Sequence, residues 1–247
     1  MPLSKLIQGD ITSPDDVKRR DLQLPHHVAM TFPRFFRTLI NYCKLRRLST
    51  AEKAAIITDF LMKVYALSSY LFAKGISEVT VDFCPKGVLN VLNVDPTYVE
   101  DLVFKNLYRK DVDFRIVVYE DLSGITTIKV VPEHDRTKRL NILINYDYVT
   151  ELKLVLLKVL LELDTNFTNL TLDSIYEFIG KLKKVLPVSS DPDLLIVFGE
   201  YEFPNFIPLN LSYTEFVFIN KDIAAISYQD IDMALVEYSR RYRRFGR

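Results

Sequence analysis

Short apolar runs closed by proline or a polar turn alternate along this chain with longer stretches of helical spacing. That alternation constrains the fold more than any other feature. Strands joined through helices lie parallel, in a sheet covered on both faces. Val28 to Phe32 is an apolar run stopped by Pro33 and suits a buried strand. Val79, Val81 and Phe83 alternate with Thr80 and Asp82, so 78–84 reads as a strand ended by Pro85. Phe114 to Tyr119, Ile125 to Val131, Leu140 to Asn145, Leu194 to Phe198 and Phe216 to Ile219 supply further strands. Ser49-Thr50-Ala51-Glu52 is a capping box. Behind it Ile56, Ile57, Phe60, Leu61, Val64, Leu67, Leu71 and Phe72 recur at helical spacing until Lys74-Gly75. Helices are also predicted over Tyr98 to Leu107, Leu152 to Leu163 and Leu172 to Leu186. The second of these is apolar enough to be expected buried on most sides. A last helix starts at Ser227 and carries Ile231, Leu235, Tyr238 and Tyr242 on one face. The expected fold class is α/β, a single domain over 25–247 with a mostly parallel central sheet flanked by helices. Residues 1–24 read as an N-terminal leader.

The chemistry the residues exclude is equally informative. With 32 basic and 32 acidic residues, the chain is no bulk electrostatic nucleic-acid binder. Cys43 and Cys84 make no disulfide framework and fit a reducing compartment. His26, His27 and His134 leave little for a multi-histidine metal centre. His26 and His27 are adjacent on an extended segment and face opposite ways, so one is expected to be structural and the other solvated. Seven glycines allow few phosphate-cradling loops, and no Gly-x-Gly-x-x-Gly turn, Walker loop or Gly-x-Ser-x-Gly elbow occurs. No stretch of about 18 uncharged apolar residues is present, and a cytoplasmic protein is expected. Residues alone lead to an α/β domain without an obvious active site.

A set of motifs in register goes further. Asp193-Leu194-Leu195-Ile196, Asn205-Phe206, Ser212-Tyr213-Thr214-Glu215-Phe216 and Arg243-Arg244-Phe245-Gly246 together resemble the cis-prenyltransferases, the undecaprenyl and dehydrodolichyl diphosphate synthases. His27-Val28-Ala29-Met30 resembles the start of that family's first strand, and Leu140 to Tyr146 its Leu-Asn-Ile-x-x-Asn-Tyr strand. The resemblance covers about residues 25–247 and implies an undecaprenyl diphosphate synthase-like fold.

The departures from the family pattern are as telling. Its Asp-Gly-Asn turn, which handles magnesium and the diphosphate leaving group, reads Pro33-Arg34-Phe35 here, and of the following basic residues Arg37 remains. Proline has neither an amide hydrogen nor a carboxylate. The family's Phe-Ser-Ser-Glu-Asn loop is replaced by Phe83-Cys84-Pro85-Lys86. Its Arg-Thr-Gly-Gly-Glu-x-Arg-x-Ser segment reads Val197 to Pro204, without either arginine and with Glu202 added. Those changes remove charge-assisted hydrogen bonds to a diphosphate and add repulsion. What is kept is Glu215, a family magnesium carboxylate acting across the dimer, and Arg244-Phe245-Gly246, the family's Arg-x-Gly motif that reaches the neighbouring subunit's substrate. The arginines Arg240 and Arg241 suit a helix C-terminus instead.

Lost home-site residues with a retained tail resemble the non-catalytic, Nogo-B-receptor-like subunits of two-component cis-prenyltransferases. The resemblance then implies a pseudoenzyme subunit that binds a catalytic cis-prenyltransferase partner. The complex would use isoprenoid diphosphates and Mg2+ held mainly by the partner. Arg244, Phe245 and Gly246 would act in trans, Arg37 would be a minor substrate contact and Glu215 a metal ligand. Phe206, Ile207, Leu209 and Tyr213 would lie at the subunit interface. A homodimer when alone and peripheral membrane contact are further expectations. Two other readings stay open: a diverged active homodimeric enzyme, and a scaffold or lipid-binding protein that has lost prenyl transfer.

Overall fold

The computed structural model describes residues 23–108, 114–120, 124–132, 135–166, 180, 186, 188, 190–199, 201 and 206–241. A central strand β1 (His27–Thr31) leads into helices α1 (Pro33–Leu45) and α2 (Thr50–Ala73). Strand β2 (Glu78–Asp82) follows, then α3 (Lys86–Leu92) and α4 (Pro96–Tyr108). Strands β3 (Phe114–Glu120), β4 (Thr126–Pro132) and β5 (Arg139–Ile144) form a meander before α5 (Tyr148–Asn166). Strands β6 (Leu194–Phe198) and β7 (Glu215–Ile219) precede the helix α6 (Tyr228–Arg240).

These strands make one seven-stranded sheet in the order β3-β4-β5-β2-β1-β6-β7. The pairs β5–β2, β2–β1, β1–β6 and β6–β7 are parallel, as the alternating pattern predicts. The pairs β3–β4 and β4–β5 are antiparallel. Their connections are too short for a crossover, so that edge of the sheet turns back on itself. All five residues of β1, β2 and β6 are buried, as befits strands covered on both faces.

Strand β1 starts at His27 and stops at Thr31, so Phe32 is not its last residue. Phe32 is instead the N-cap of α1, a helix not assigned from the sequence. Pro33 at its first position fits because its fixed φ is helical and its missing N–H has no intrahelical partner to lose. Phe36 and Leu39 bury the inner face of α1. Helix α3 was likewise not assigned. Helix α2 opens with the expected capping box: Ser49 Oγ accepts from the Glu52 amide, and the Ser49 amide donates to the Glu52 carboxylate. Such a cap contributes about 1 kcal/mol. By length and composition α2 could cross a membrane, but Ile57, Phe60, Leu61, Val64, Leu67 and Leu71 bury its inner stripe against the core.

Helix α5 corrects an expectation. Only Glu151 and Leu154 of its described side chains are buried, whereas Leu152, Leu156, Leu157 and Leu161 are 37 to 61% exposed. Its apolar residues are spread around the helix, whereas its buried described positions, Glu151 and Leu154, form a single narrow stripe. Most of the helix predicted over Leu172 to Leu186 lies outside the described residues, as do residues 1–22 of the leader. Leu24 packs against the core.

Candidate functional site

In an open parallel sheet, ligands bind beyond the carboxyl ends of the strands, where the chain reverses its direction of winding. Here that switch point lies between β1 and β6, which are neighbours in the sheet although four strands lie between them in sequence. The chain enters the crevice at Thr31-Phe32-Pro33 from one side and at Phe198-Gly199 from the other.

Aromatic rings fill this place. Phe32 stacks on Phe198 with centroids 5.0 Å apart and an interplanar angle of 9°. Phe60 of α2 meets Phe32 edge-on at 5.2 Å and stacks on Phe83 at 5.0 Å. Phe35 and Phe36 of α1 close on Phe60 at 4.7 and 5.6 Å. Phe32, Phe83 and Phe198 are no more than 1% exposed. Each well-placed aromatic pair adds about 0.5–1.5 kcal/mol beyond its buried area.

Arg34 closes the crevice from above. Its side chain lies over Gly199, where an added Cβ would sit 2.5 Å from Arg34 Cβ, and Gly199 has φ +91°. Both the close approach and the left-handed backbone require glycine there. The guanidinium donates to Asn220 Oδ1 and lies 3.8 Å from the Asp222 carboxylate. This cation is committed to the loop after β7.

The carboxylate at this edge is Asp82, which ends β2 and accepts a hydrogen bond from Thr31 Oγ1 at 3.2 Å. Its other oxygen has no hydrogen-bond partner. Burial raises its pKa from 3.8 to about 7, against a smaller opposing effect of the Thr31 hydroxyl. A hard divalent cation needs ionised, reachable oxygens. Asp82 is 7% exposed, and no group of three or more candidate metal-binding side chains occurs among the described residues. The described residues of this crevice do not fit a magnesium ion.

The Asp82 shift has a stability consequence. Between about pH 4 and 7 the folded chain keeps this proton while the unfolded chain has lost it, so stability from this group falls as pH rises. Asp82→Asn keeps the acceptor for Thr31 and removes the charge. It is expected to raise unfolding free energy on the order of 2 kcal/mol at pH 8 and negligibly at pH 4. Urea titrations at the two pH values check this; equal effects at both would contradict it.

The other candidate residues are dispersed. Glu215 opens β7 opposite Leu194, at the amino-terminal edge of the sheet. The crevice lies at the opposite edge, roughly 13 Å away along a five-residue strand. Glu215 is paired with Arg241 Nη1 at 2.9 Å, and Arg241 also binds Glu237. Arg37 is exposed on α1. Arg244, Phe245 and Gly246 lie outside the described residues.

Two interface candidates are core residues. Phe206 and Ile207 are 1% and 0% exposed, so they cannot line a surface of this chain. Tyr146 explains why. Its ring packs edge-on against Phe206 with centroids 5.5 Å apart, its hydroxyl accepts from the Ile207 amide at 2.9 Å, and it donates to buried Glu151 at 2.8 Å. Leu209 is half-buried and Tyr213 is 61% exposed.

The histidine pair divides as expected. His26 is exposed. His27 is buried, with Nε2 at 2.8 Å from Thr80 Oγ1, and burial lowers its pKa despite nearby Glu78. The arginine-phenylalanine plug was the feature sequence reasoning missed. Its signal was present in Phe32, Phe35, Phe36, Phe60 and Phe83, all in segments that converge on one strand edge.

Comparison with known proteins gives a consistent picture. The prenyltransferase family model described as "Putative undecaprenyl diphosphate synthase" matches residues 108–246. The isoprenyl transferase of Oceanobacillus iheyensis is 47% identical over 58 residues, 23% of each chain. That of Aquifex aeolicus is 44% identical over 63 residues, 25% of this chain and 27% of the relative. The matched segment thus spans about a quarter of these relatives' length. A probable undecaprenyl diphosphate synthase from Campylobacter jejuni shares the fold at TM-score 0.50 and 17% identity, over 90% of this chain and 99% of that one. Lavandulyl diphosphate synthase from Lavandula x intermedia, solved with dimethylallyl diphosphate, does so at TM-score 0.55 and 18% identity, over 91% and 99%.

Proposed function

Because this chain belongs to the undecaprenyl diphosphate synthase family of prenyltransferases, we propose that it is a non-catalytic subunit of a heteromeric cis-prenyltransferase. The complex makes a long-chain polyprenyl diphosphate from isopentenyl diphosphate and an allylic diphosphate. The single observation that carries this reading is the filled crevice. Phe32, Phe60, Phe83 and Phe198 occupy the ligand position, Pro33 stands where an acidic residue is expected, and Arg34 is tied to Asn220.

In this reading the chemistry belongs to the partner subunit. The allylic carbon–oxygen bond breaks and diphosphate leaves with the electron pair. The allylic carbon then bonds to the terminal alkene carbon of isopentenyl diphosphate, which loses a proton. Mg2+ on the partner's residues supplies charge stabilisation for the departing diphosphate. This chain's share is the tail. Arg241 is anchored at Glu215, on the sheet edge away from the chain's own crevice. Three further residues reach at most about 11 Å from that anchor, and in this reading Arg244 acts on the partner's substrate rather than in the chain's own crevice. Leu209, Tyr213 and the exposed leucines of α5 offer apolar surface of the kind subunit contacts cover. The same surfaces would support a homodimer of the isolated chain. We place the complex in the cytoplasm, peripheral to the membrane that receives its product.

Reconstitution tests the reading. Radiolabelled isopentenyl diphosphate, farnesyl diphosphate and magnesium are supplied to this chain alone, and to this chain with a homologue from the same organism that carries an intact Asp-Gly-Asn turn. Product is expected only from the mixture. A homologue equally active without this chain would overturn the subunit reading in favour of a scaffold.

A further inference from the structure

The corner between α1 and α2 carries a surface that neither the crevice nor the tail explains. Leu45, the last residue of α1, is 90% exposed, and Tyr42 one turn before it is 43% exposed. Four cations surround them: Lys44, Arg46, Arg47 and Lys53. Together with Leu48, Leu92 and Asn93 they border an open cavity of about 290 Å³.

The charges here are poorly compensated within the chain. Arg46 donates to Tyr42 Oη at 2.9 Å and to Glu52 at 2.7 Å, and Glu52 is already engaged by Ser49 in the α2 cap. Lys44, Arg47 and Lys53 pair with no carboxylate among the described residues. The chain as a whole has no net charge, so this is a local concentration rather than a general property. An isolated exposed leucine needs no explanation. A leucine projecting almost completely into solvent beside three cations without a carboxylate partner among the described residues, Lys44, Arg47 and Lys53, has a specific physical complement, a surface that is apolar inside and anionic outside.

We propose that the α1–α2 corner docks on an anionic phospholipid membrane. Leu45 and Tyr42 enter the boundary between headgroups and acyl chains. Lys44, Arg47 and Lys53 face the headgroup phosphates, and the cavity beside them has room for one headgroup. Apolar insertion and basic attraction each give weak, reversible binding, and together they give peripheral attachment. The crevice lies at the other end of α1, about 20 Å away for a 13-residue helix, so docking leaves that end of the fold free. The inference stands on this corner alone and is independent of the subunit reading, since an active enzyme or a scaffold would dock the same way.

Vesicle flotation with the full chain tests it. Vesicles of phosphatidylcholine alone are compared with vesicles containing 30% phosphatidylserine, at low and high salt. The chain is expected to float with the anionic vesicles at low salt and to be released at high salt. Leu45→Ser, which keeps every charge, is expected to weaken flotation about tenfold, and Lys44→Glu with Arg47→Glu at least tenfold. All three positions are exposed, so melting temperatures are expected to stay at the parent value. No binding to anionic vesicles, or binding that either variant leaves unchanged, overturns the proposal. Retention on polyglutamate with vesicle binding absent would reassign the patch to an acidic protein partner.

Discussion

Phe60→Ala is expected to cost about 3–5 kcal/mol of unfolding free energy. Phe60 is 4% exposed and touches four other rings: Phe32, Phe35, Phe36 and Phe83. Deleting it removes the ring common to α1, α2 and the ends of β1 and β2, and the neighbours can only partly close the gap because backbone elements hold them apart. Against a typical domain stability of about 5–15 kcal/mol, that loss puts the variant near the edge of folding at 37 °C. Urea unfolding followed by circular dichroism measures it. A loss below about 1 kcal/mol would mean that the aromatic cluster is not packed as the structure has it, and the filled-crevice argument would lose its basis.

The second large effect concerns activity rather than folding. In the reconstituted complex, Arg244→Ala is expected to lower kcat roughly 100-fold or more, the usual cost of losing one donor to charge that develops during reaction. The melting temperature of the isolated chain is expected to stay within a degree, because the described core is closed without the tail and its last pair among the described residues is Arg241 with Glu215. Arg244→Lys restores charge but not the paired donors and should recover only part of the rate. Full activity of Arg244→Ala would remove the tail from the mechanism and leave this chain as a stabilising partner.

The architecture was legible because the segments are locally consistent. Ser49 and Glu52 mark the start of α2 by residue type and spacing alone, and the apolar runs of β1, β2 and β6 are strands wherever they are placed. Helix α1 was not legible as a helix, since its Pro33 served equally well as a strand terminator. Its Phe36, Leu39, Ile40 and Cys43 do keep helical spacing. The burial of Phe206 and Ile207 could not be read from a run of apolar residues. It depends on Tyr146, some sixty residues earlier in the chain, reaching the Ile207 amide. For the same reason an apolar helix such as α5 cannot announce how much of it the rest of the fold will cover. Of the site, the resemblance pointed to departures at Pro33 and at Val197 to Pro204. That Phe32, Phe60, Phe83 and Phe198 pack into one cluster beside Pro33 required the convergence of β1, β2, β6 and α2.

The central claim is that this chain's own crevice holds no allylic diphosphate. Calorimetric titration of the isolated chain with farnesyl thiodiphosphate, an analogue slow to ionise, in excess magnesium tests that claim most directly. The account predicts no saturable heat up to millimolar ligand. Saturable one-to-one binding in the micromolar range would contradict it, because the aromatic plug would then have to open and residues other than the ones at Pro33 and Arg34 would have to receive the diphosphate.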